Sequence, residues 1–391
     1  MIVAGAGIGG LTAALALARN GFRVVVLEQA ERLEETGAGI QLSPNAARIL
    51  IDLGLRERLR PLATAPAALR VLSAANGREI VRMPLSDSEL RYGAPYWVIH
   101  RGDLQAALAD AASQVPTITI RLGQRAEDFA AYSAGVTVTA RGSGGVTEER
   151  GAAFLAADGL WSQTRDRISH AGPLRAAGRT AWRGLVPARL VAPEFCAPLI
   201  HLWLGRDAHL VHYPVKAGNV INIVVITDDS WNTPGWSEPA SRAEVVPRFA
   251  AEAWAPTARA LVALPEAWLK WALFDRTPIR RWSQGPVALL GDAAHPMLPF
   301  LAQGAAMAIE DAAVVAECLR REPDAMRALQ IYCAMRRGRT RKVQGTAARN
   351  GTVYHFRGIA AWMRDKAMGA IGGPRLIRRY DWIYHWQPPL A

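Results

Sequence analysis

The chain opens with apolar and glycine-rich stretches in quick succession. Residues 2–4 (IVA) form a short apolar run. GAGIGG follows, then LTAALALARNG, a helix-forming run ending on Asn20-Gly21, a good C-cap pair. In FRVVVLE the unbroken apolar run from Val24 to Leu27 predicts a buried parallel strand. Strand, glycine turn, helix and strand make a βαβ unit. Its first strand is unusually short, as if residues had been lost before it. Helices are expected near 44–59 and 102–113. From about 117 to 158 the pattern turns to alternation, as in GVTVTARG, with a turn at Gly142 to Gly145.

Residues 176–275 read differently. They hold seven of the 13 tryptophans, many prolines and strand-like runs such as HLWLG and NVINIVVIT. A second domain on an antiparallel sheet is expected, with most of those tryptophans in its core. The chain then returns to a strand at 287–290 and a helix at about 304–320. With no repeat, low-complexity tract or linker, the two domains must be interleaved. The fold class is therefore α/β, with a Rossmann-like domain over residues 1–70, 98–175 and 276–335. The second domain takes 71–97 and 176–275, and 336–391 form a basic C-terminal helical cap.

Size and composition allow this: 391 residues, half of them hydrophobic and 20% charged, suit two domains or one large elaborated one. No uncharged apolar run reaches about 18 residues, so no transmembrane helix is expected. MIVAGAGIGG lacks the basic n-region of a signal peptide. Cys196, Cys318 and Cys333 have spacings of neither a disulfide framework nor a metal site, which points to a reducing cytoplasm. The net charge of +12 is concentrated: residues 336–391 hold 12 Lys/Arg against Asp365 and Asp381, or +10 of the total. Such a block can bind nucleic acid, line a subunit contact or form a solvated helical face. Its interleaved Tyr354, Phe356, Trp362, Tyr380 and Trp382 favour a packed cap, with a homodimer contact open.

Two stretches carry the chemistry. Gly5-Ala6-Gly7-Ile8-Gly9-Gly10 satisfies G-x-G-x-x-G: Gly5 for the tight turn, Gly7 for a pyrophosphate's approach, Gly10 for helix packing. Glu28, 18 residues past Gly10, can accept ribose hydroxyls at the end of the second strand. An adenine dinucleotide follows, but NAD and FAD are not separated by this motif alone. VALLGDAAHPMLPFLAQGAAMAIEDA, from Val287, separates them. Its strand ends in Gly291-Asp292, placing a carboxylate at the ribityl or pyrophosphate part of an extended FAD. Its helix starts at Gly304 and Ala305, where the backbone can lie close to a flavin and the helix dipole favours the reduced anion.

With those residues in view, the segment resembles the second FAD motif of the class A flavoprotein aromatic hydroxylases, which share the p-hydroxybenzoate hydroxylase-like fold. Asp158-Gly-Leu-Trp-Ser-Gln-Thr-Arg165 is similar to that family's D-G-x-x-S-x-x-R element, which serves FAD and NAD(P)H. His100-Arg-Gly-Asp-Leu104 resembles its arginine-bearing helix start, with Arg101 near the FAD. IHRGDL, HYP and MLPFLAQGA are worded most like salicylate hydroxylase and related enzymes. Two positions depart. Ala302 replaces a common second glycine, and Asn45 follows Pro44 where pyridine-acid hydroxylases often carry histidine.

The resemblance implies FAD reduced by NADH or NADPH, then O2 added as a C4a-hydroperoxide that hydroxylates a phenolic or heteroaromatic acid. It places Pro299 at the flavin's active face. His212 and Tyr213, on HLVHYPV, are the candidates to activate the phenol, and Arg183 the one to pair the substrate carboxylate. His295 is expected to support its loop, and neither Glu310 nor Asp311 to act as acid or base. The alternatives are an epoxidase on the same scaffold and nucleic-acid binding by the tail. A tryptophan halogenase would carry W-x-W-x-I-P, which is missing.

Overall fold

A computed structural model of the chain describes residues 1–33, 38–169, 172–235, 237–249 and 252–388. Its first layer is a six-stranded sheet in the order Ser283–Gln284, Val287–Leu289, Phe154–Ala156, Ile2–Ala4, Val24–Leu27, Ile118–Arg121. All neighbours pair in parallel except the first two strands. The apolar runs follow from this position. A parallel strand covered on both sides has no solvent face, and Val3, Val26, Leu155 and Leu289 are completely buried. Helices Ile8–Arg19 and Gly304–Arg321 pack together beside it. The alternating stretch forms a separate three-stranded antiparallel sheet over Arg125–Gly151.

The second layer is an eight-stranded sheet in which residues 175–275 supply six strands and Ala68–Ser73 and Glu79–Pro84 the other two. It is antiparallel except where Leu199–Leu204 runs parallel to Ala68–Ser73. One face, with Trp182, Trp203, Leu210, Ile223 and Val225, packs under Phe249, Trp254 and Leu261. Trp182, Trp203, Trp254 and Trp268 are thus core, as expected; Trp236 lies outside the described residues. The opposite face, with Val211, Tyr213, Val224 and Ile226, turns toward the first domain and the C-terminal helices.

The expected break at 335/336 falls inside one 30-residue helix, Ala325–Tyr354. The break at 70/71 likewise falls inside the strand Ala68–Ser73. Part of the C-terminal positive charge is buried. Arg336 meets Glu310 at 2.7 Å and Asp311 at 2.6 Å, and Arg339 meets Glu310 at 2.6 Å, with both acids 0% exposed. These arginines join the long helix to the helix Gly304–Arg321. A cation buried this way offsets its desolvation only through its partners. Helix Gly373–Arg378 lies on the sheet's edge strand so closely that a Cβ on Gly373 would meet the Arg82 carbonyl oxygen at 1.7 Å. No described helix is long and apolar enough to cross a membrane.

Candidate cofactor and substrate site

A cleft of about 1230 Å³ runs between the two layers. That exceeds the roughly 300–1,000 Å³ of an ordinary small-ligand pocket, as a dinucleotide plus a substrate requires. Gly5, Gly7, Glu28, Arg101, Asp158, Gly291, Asp292, Pro299, Gly304, Ala305 and Arg183 all line it. Residues up to 300 positions apart, Gly5 and Ala305, are therefore brought together.

The adenosine end is built by the first turn. Gly5 has φ +95°, and a Cβ there would stand 2.5 Å from the Ala157 carbonyl oxygen. A Cβ on Gly10 would stand 1.9 Å from Gly5's own carbonyl oxygen. Nothing lies within 4 Å of the Cβ position of Gly7, so its backbone is open to the cleft. Glu28 accepts from the Ala6 N–H at 2.6 Å and the Ala30 N–H at 2.9 Å. These bonds hold the carboxylate beside the glycine turn, where a ribose would meet it.

The flavin end rests on one buried acid. Gly291 adopts the left-handed conformation, φ +64°, which costs glycine nothing. Its N–H donates to Asp311 Oδ2 at 3.0 Å. The same oxygen takes His295 Nε2 at 2.5 Å, while Oδ1 takes Arg336 Nε at 2.6 Å. Burial works against ionisation of Asp311, but His295 and Arg336 outweigh it and hold the carboxyl below its usual range. His295 and Asp311 thus hold this loop in place, the support the sequence suggested for His295. Asp292 opens onto the cleft floor, 4.0 Å from the Cβ position of Gly304. Its deep setting pushes its carboxyl up, against the pull of His295, Arg101 and Arg165.

The helix start itself is held by a closed ring of side chains. Gln303 donates to Ser43 Oγ at 2.8 Å, and Ser43 donates to Asn45 Oδ1 at 2.6 Å. Asn45 donates to Gln303 Oε1 at 3.2 Å and to Glu310 Oε1 at 2.7 Å. Asn45 is completely buried there and does not line the cleft, so its identity bears on the helix start before it bears on any substrate. Ala302 takes φ 51°, ψ 36°, the left-handed conformation that glycine adopts most readily.

These groups fit an FAD. The open backbone at Gly7 suits a pyrophosphate. Asp158 Oδ1 is buried without a hydrogen-bond partner among the described residues, and burial pushes its carboxyl up. Asp292 and the amides of Gly304 and Ala305 face the same space.

The substrate end is less fully anticipated. Arg183 lies over the Trp271 ring at 4.6 Å, with Nε buried and unpartnered. No carboxylate of the described residues is within ion-pair distance. Burial, and then Arg101, lower its pKa to about 10, with Tyr213 acting the other way. Tyr213 is on the cleft side of the sheet, its ring against Gly39, a cleft residue. His212 is not. Its ring stacks on His201 at 4.3 Å and an interplanar angle of 5°, on the opposite face, with neither nitrogen bonded. The expectation that His212 touches substrate is corrected by the pleat of its own strand.

The residue passed over is His209, on the same face as Tyr213. Its ring packs on Phe300 at 5.6 Å, the residue after Pro299. Its Nδ1 is 2.9 Å from His355 Nε2, and His355 Nδ1 is 2.8 Å from Asp228 Oδ1. The period-two alternation in HLVHYPV could have shown that His209, and not His212, shares a face with Tyr213.

The FAD binding domain family matches residues 1–343. The 3-hydroxybenzoate 6-hydroxylase 1 of Aquipseudomonas alcaligenes is 38% identical over 387 residues, 98% of this chain and 97% of the relative. A 3-amino-4-hydroxybenzoate 2-monooxygenase of Streptomyces platensis, PtnB3, is 37% identical over 389 residues, 98% of this chain and 95% of the relative. A solved salicylate hydroxylase substrate complex superposes with a TM-score of 0.82 at 27% identity, covering 99% of this chain and 95% of that one. With the cleft, the glycine turn and the Gly291-Asp292 loop where such an enzyme needs them, the chain belongs to the FAD binding domain family and is an FAD-dependent monooxygenase of the class A aromatic hydroxylase type.

Proposed function

We propose that the substrate is a hydroxybenzoate-like acid, hydroxylated at the expense of O2 and NADH or NADPH. The observation that carries this reading is Arg183, a half-buried guanidinium lining the cleft, with its Nε unpartnered and no carboxylate of the described residues within ion-pair distance. Its planar fork suits a carboxylate, and charge-assisted hydrogen bonds of that kind are the strong ones. The names of the relatives support the same class, since two of them act on hydroxylated benzoates.

Bound FAD, once reduced, supplies the activated oxygen. The chain's own part is to hold the acid by Arg183 and keep water from the reacting face with Pro299, Leu298 and Trp271. It must also draw the phenolic proton so that the ring is electron-rich. His209 is our candidate for that proton, with Tyr213 beside it on the same face. The three free cysteines suit a reducing cytoplasm.

The test follows NADH and NADPH oxidation by FAD-loaded protein with salicylate, other hydroxybenzoates and hydroxynicotinates. One acid should accelerate oxidation many-fold and yield a product one oxygen heavier, or decarboxylated. A yellow protein that no aromatic acid stimulates would move the reading to an epoxidase on this scaffold.

A further inference from the structure

His209, His355 and Asp228 form a hydrogen-bonded chain from the cleft-side face of the sheet toward the surface. His209 is 3% exposed and His355 8%, while the Asp228 side chain is 39% exposed. His209 sits on strand Ala208–Val215, Asp228 at the end of strand Val220–Asp228, and His355 caps the C-terminus of the helix Ala325–Tyr354. Arg179 Nε approaches Asp228 Oδ1 at 3.2 Å and an Arg357 nitrogen approaches Oδ2 at 3.8 Å. The rings of Phe300 and Tyr354 pack against His209 at centroid distances of 5.6 and 5.4 Å.

Proton bookkeeping along this chain has one solution when both rings are neutral. Burial favours that state, lowering the pKa of His209 well below its ordinary value and that of His355 less, with Asp228 opposing. An ionised carboxylate only accepts, so His355 must carry its single proton on Nδ1. Its Nε2 is then an acceptor, and His209 must carry its proton on Nδ1. That leaves His209 Nε2 bare, and this nitrogen has no hydrogen-bond partner among the described residues.

We propose that His355 and Asp228 are positioning residues that lock His209 in the Nδ1–H tautomer, so that its Nε2 accepts the substrate's phenolic proton. This rests on the reading that the substrate is a phenol served by His209. The proton moves without net loss. The phenol O–H breaks as Nε2–H forms on His209, Nδ1–H of His209 passes to His355 Nε2, and Nδ1–H of His355 passes to Asp228, which exchanges with solvent.

The test uses FAD-loaded protein with 15N-labelled histidine rings, in wild type and in His355→Phe, His355→Asn and Asp228→Asn. Wild-type His209 should show a protonated Nδ1 and a bare Nε2. His355→Asn keeps a side-chain oxygen as acceptor and should keep that signature, whereas His355→Phe should lose it. In kinetics, His355→Phe should lower kcat about 10- to 100-fold, the usual effect of losing an orienting partner, with KM changed by less than about threefold. The acid limb of its pH profile should move downward, because His209 loses the acceptor that stabilises its protonated ring, and His355→Asn should restore most of the rate. An Nε2–H signature in wild type, or a His355→Phe protein unchanged in both signature and pH profile, overturns the proposal. An intact Nδ1–H signature with no turnover of any phenolic acid overturns instead the substrate reading on which it rests. The yellow flavin spectrum of each variant reports that it has folded.

Discussion

His212 and Tyr213 are consecutive in the chain and lie on opposite faces of the eight-stranded sheet. Tyr213 packs beside the cleft against Gly39, and His212 stacks on His201 in the far core. Side chains of a strand alternate, so one strand cannot present both neighbours to one ligand. His212→Phe should therefore leave kcat and KM within about twofold. It should also stabilise the fold by about 1 kcal/mol, since two unbonded ring nitrogens leave the core. His209→Gln should instead lower kcat about a hundredfold. Steady-state rates and urea unfolding of the two variants separate the roles.

Removing the guanidinium in Arg183→Met should raise KM for the acid about ten- to hundredfold, the equivalent of about 1.5–3 kcal/mol. FAD affinity should change little if Arg183 serves the substrate, as proposed. Lysine should not restore binding, since a point charge does not reproduce the fork. Equal loss of FAD and acid binding, measured by titration, would place Arg183 on the cofactor instead.

Asp311 joins Gly291, His295 and Arg336, so it couples the loop carrying Asp292 to the C-terminal helix. Arg336→Met strands Asp311 and Glu310 without that cation and should cost about 3–5 kcal/mol. The loss should appear as a lower urea midpoint and easier release of FAD. Apoprotein and holoprotein midpoints together show how much of it passes through the loop.

Ala302 pays for its left-handed backbone with steric strain that glycine avoids. Ala302→Gly should stabilise the protein by about 0.5–1 kcal/mol, the relief being partly cancelled by the freer unfolded chain. Urea unfolding reads the difference, and a destabilised variant would mean that the freer unfolded chain outweighs the relieved strain.

Burial holds the imidazoles of His201, His209 and His212 below their ordinary 6.5, with His201 at about 4. Above about pH 6.5 folded and unfolded states are both neutral at these rings, and no stability is lost. As pH falls from 6.5 toward 4, the unfolded chain takes up protons that the folded chain refuses, so stability drops. Urea midpoints should be level near pH 7.5 and fall through that window, less steeply in His212→Phe. A flat profile down to pH 4.5 would show that these rings protonate without cost.

The local motifs were legible because their physics is local. A glycine turn between a strand and a helix, Glu28 at a strand end, and Gly291-Asp292 before Gly304 each need only their neighbours to be read. All line one cleft in the structure. The interleaving of two sheets was also readable, since apolar runs and alternation differ in burial. The parallel pairing of Ala68–Ser73 with Leu199–Leu204 was not, because nothing in either strand specifies a partner about 130 residues away.

The substrate end shows the same division. The sequence by itself determined that this chain holds an FAD, where its turns and helix starts lie, and that HLVHYPV is a strand. Only the tertiary structure decided which side of that strand meets the cleft. It alone brought His355 and Asp228 to His209, and it set Arg336 and Arg339 against buried acids instead of solvent. The reason is physical: a backbone turn is specified by steric limits within a few residues, whereas a hydrogen-bond chain or a buried ion pair depends on where distant segments pack.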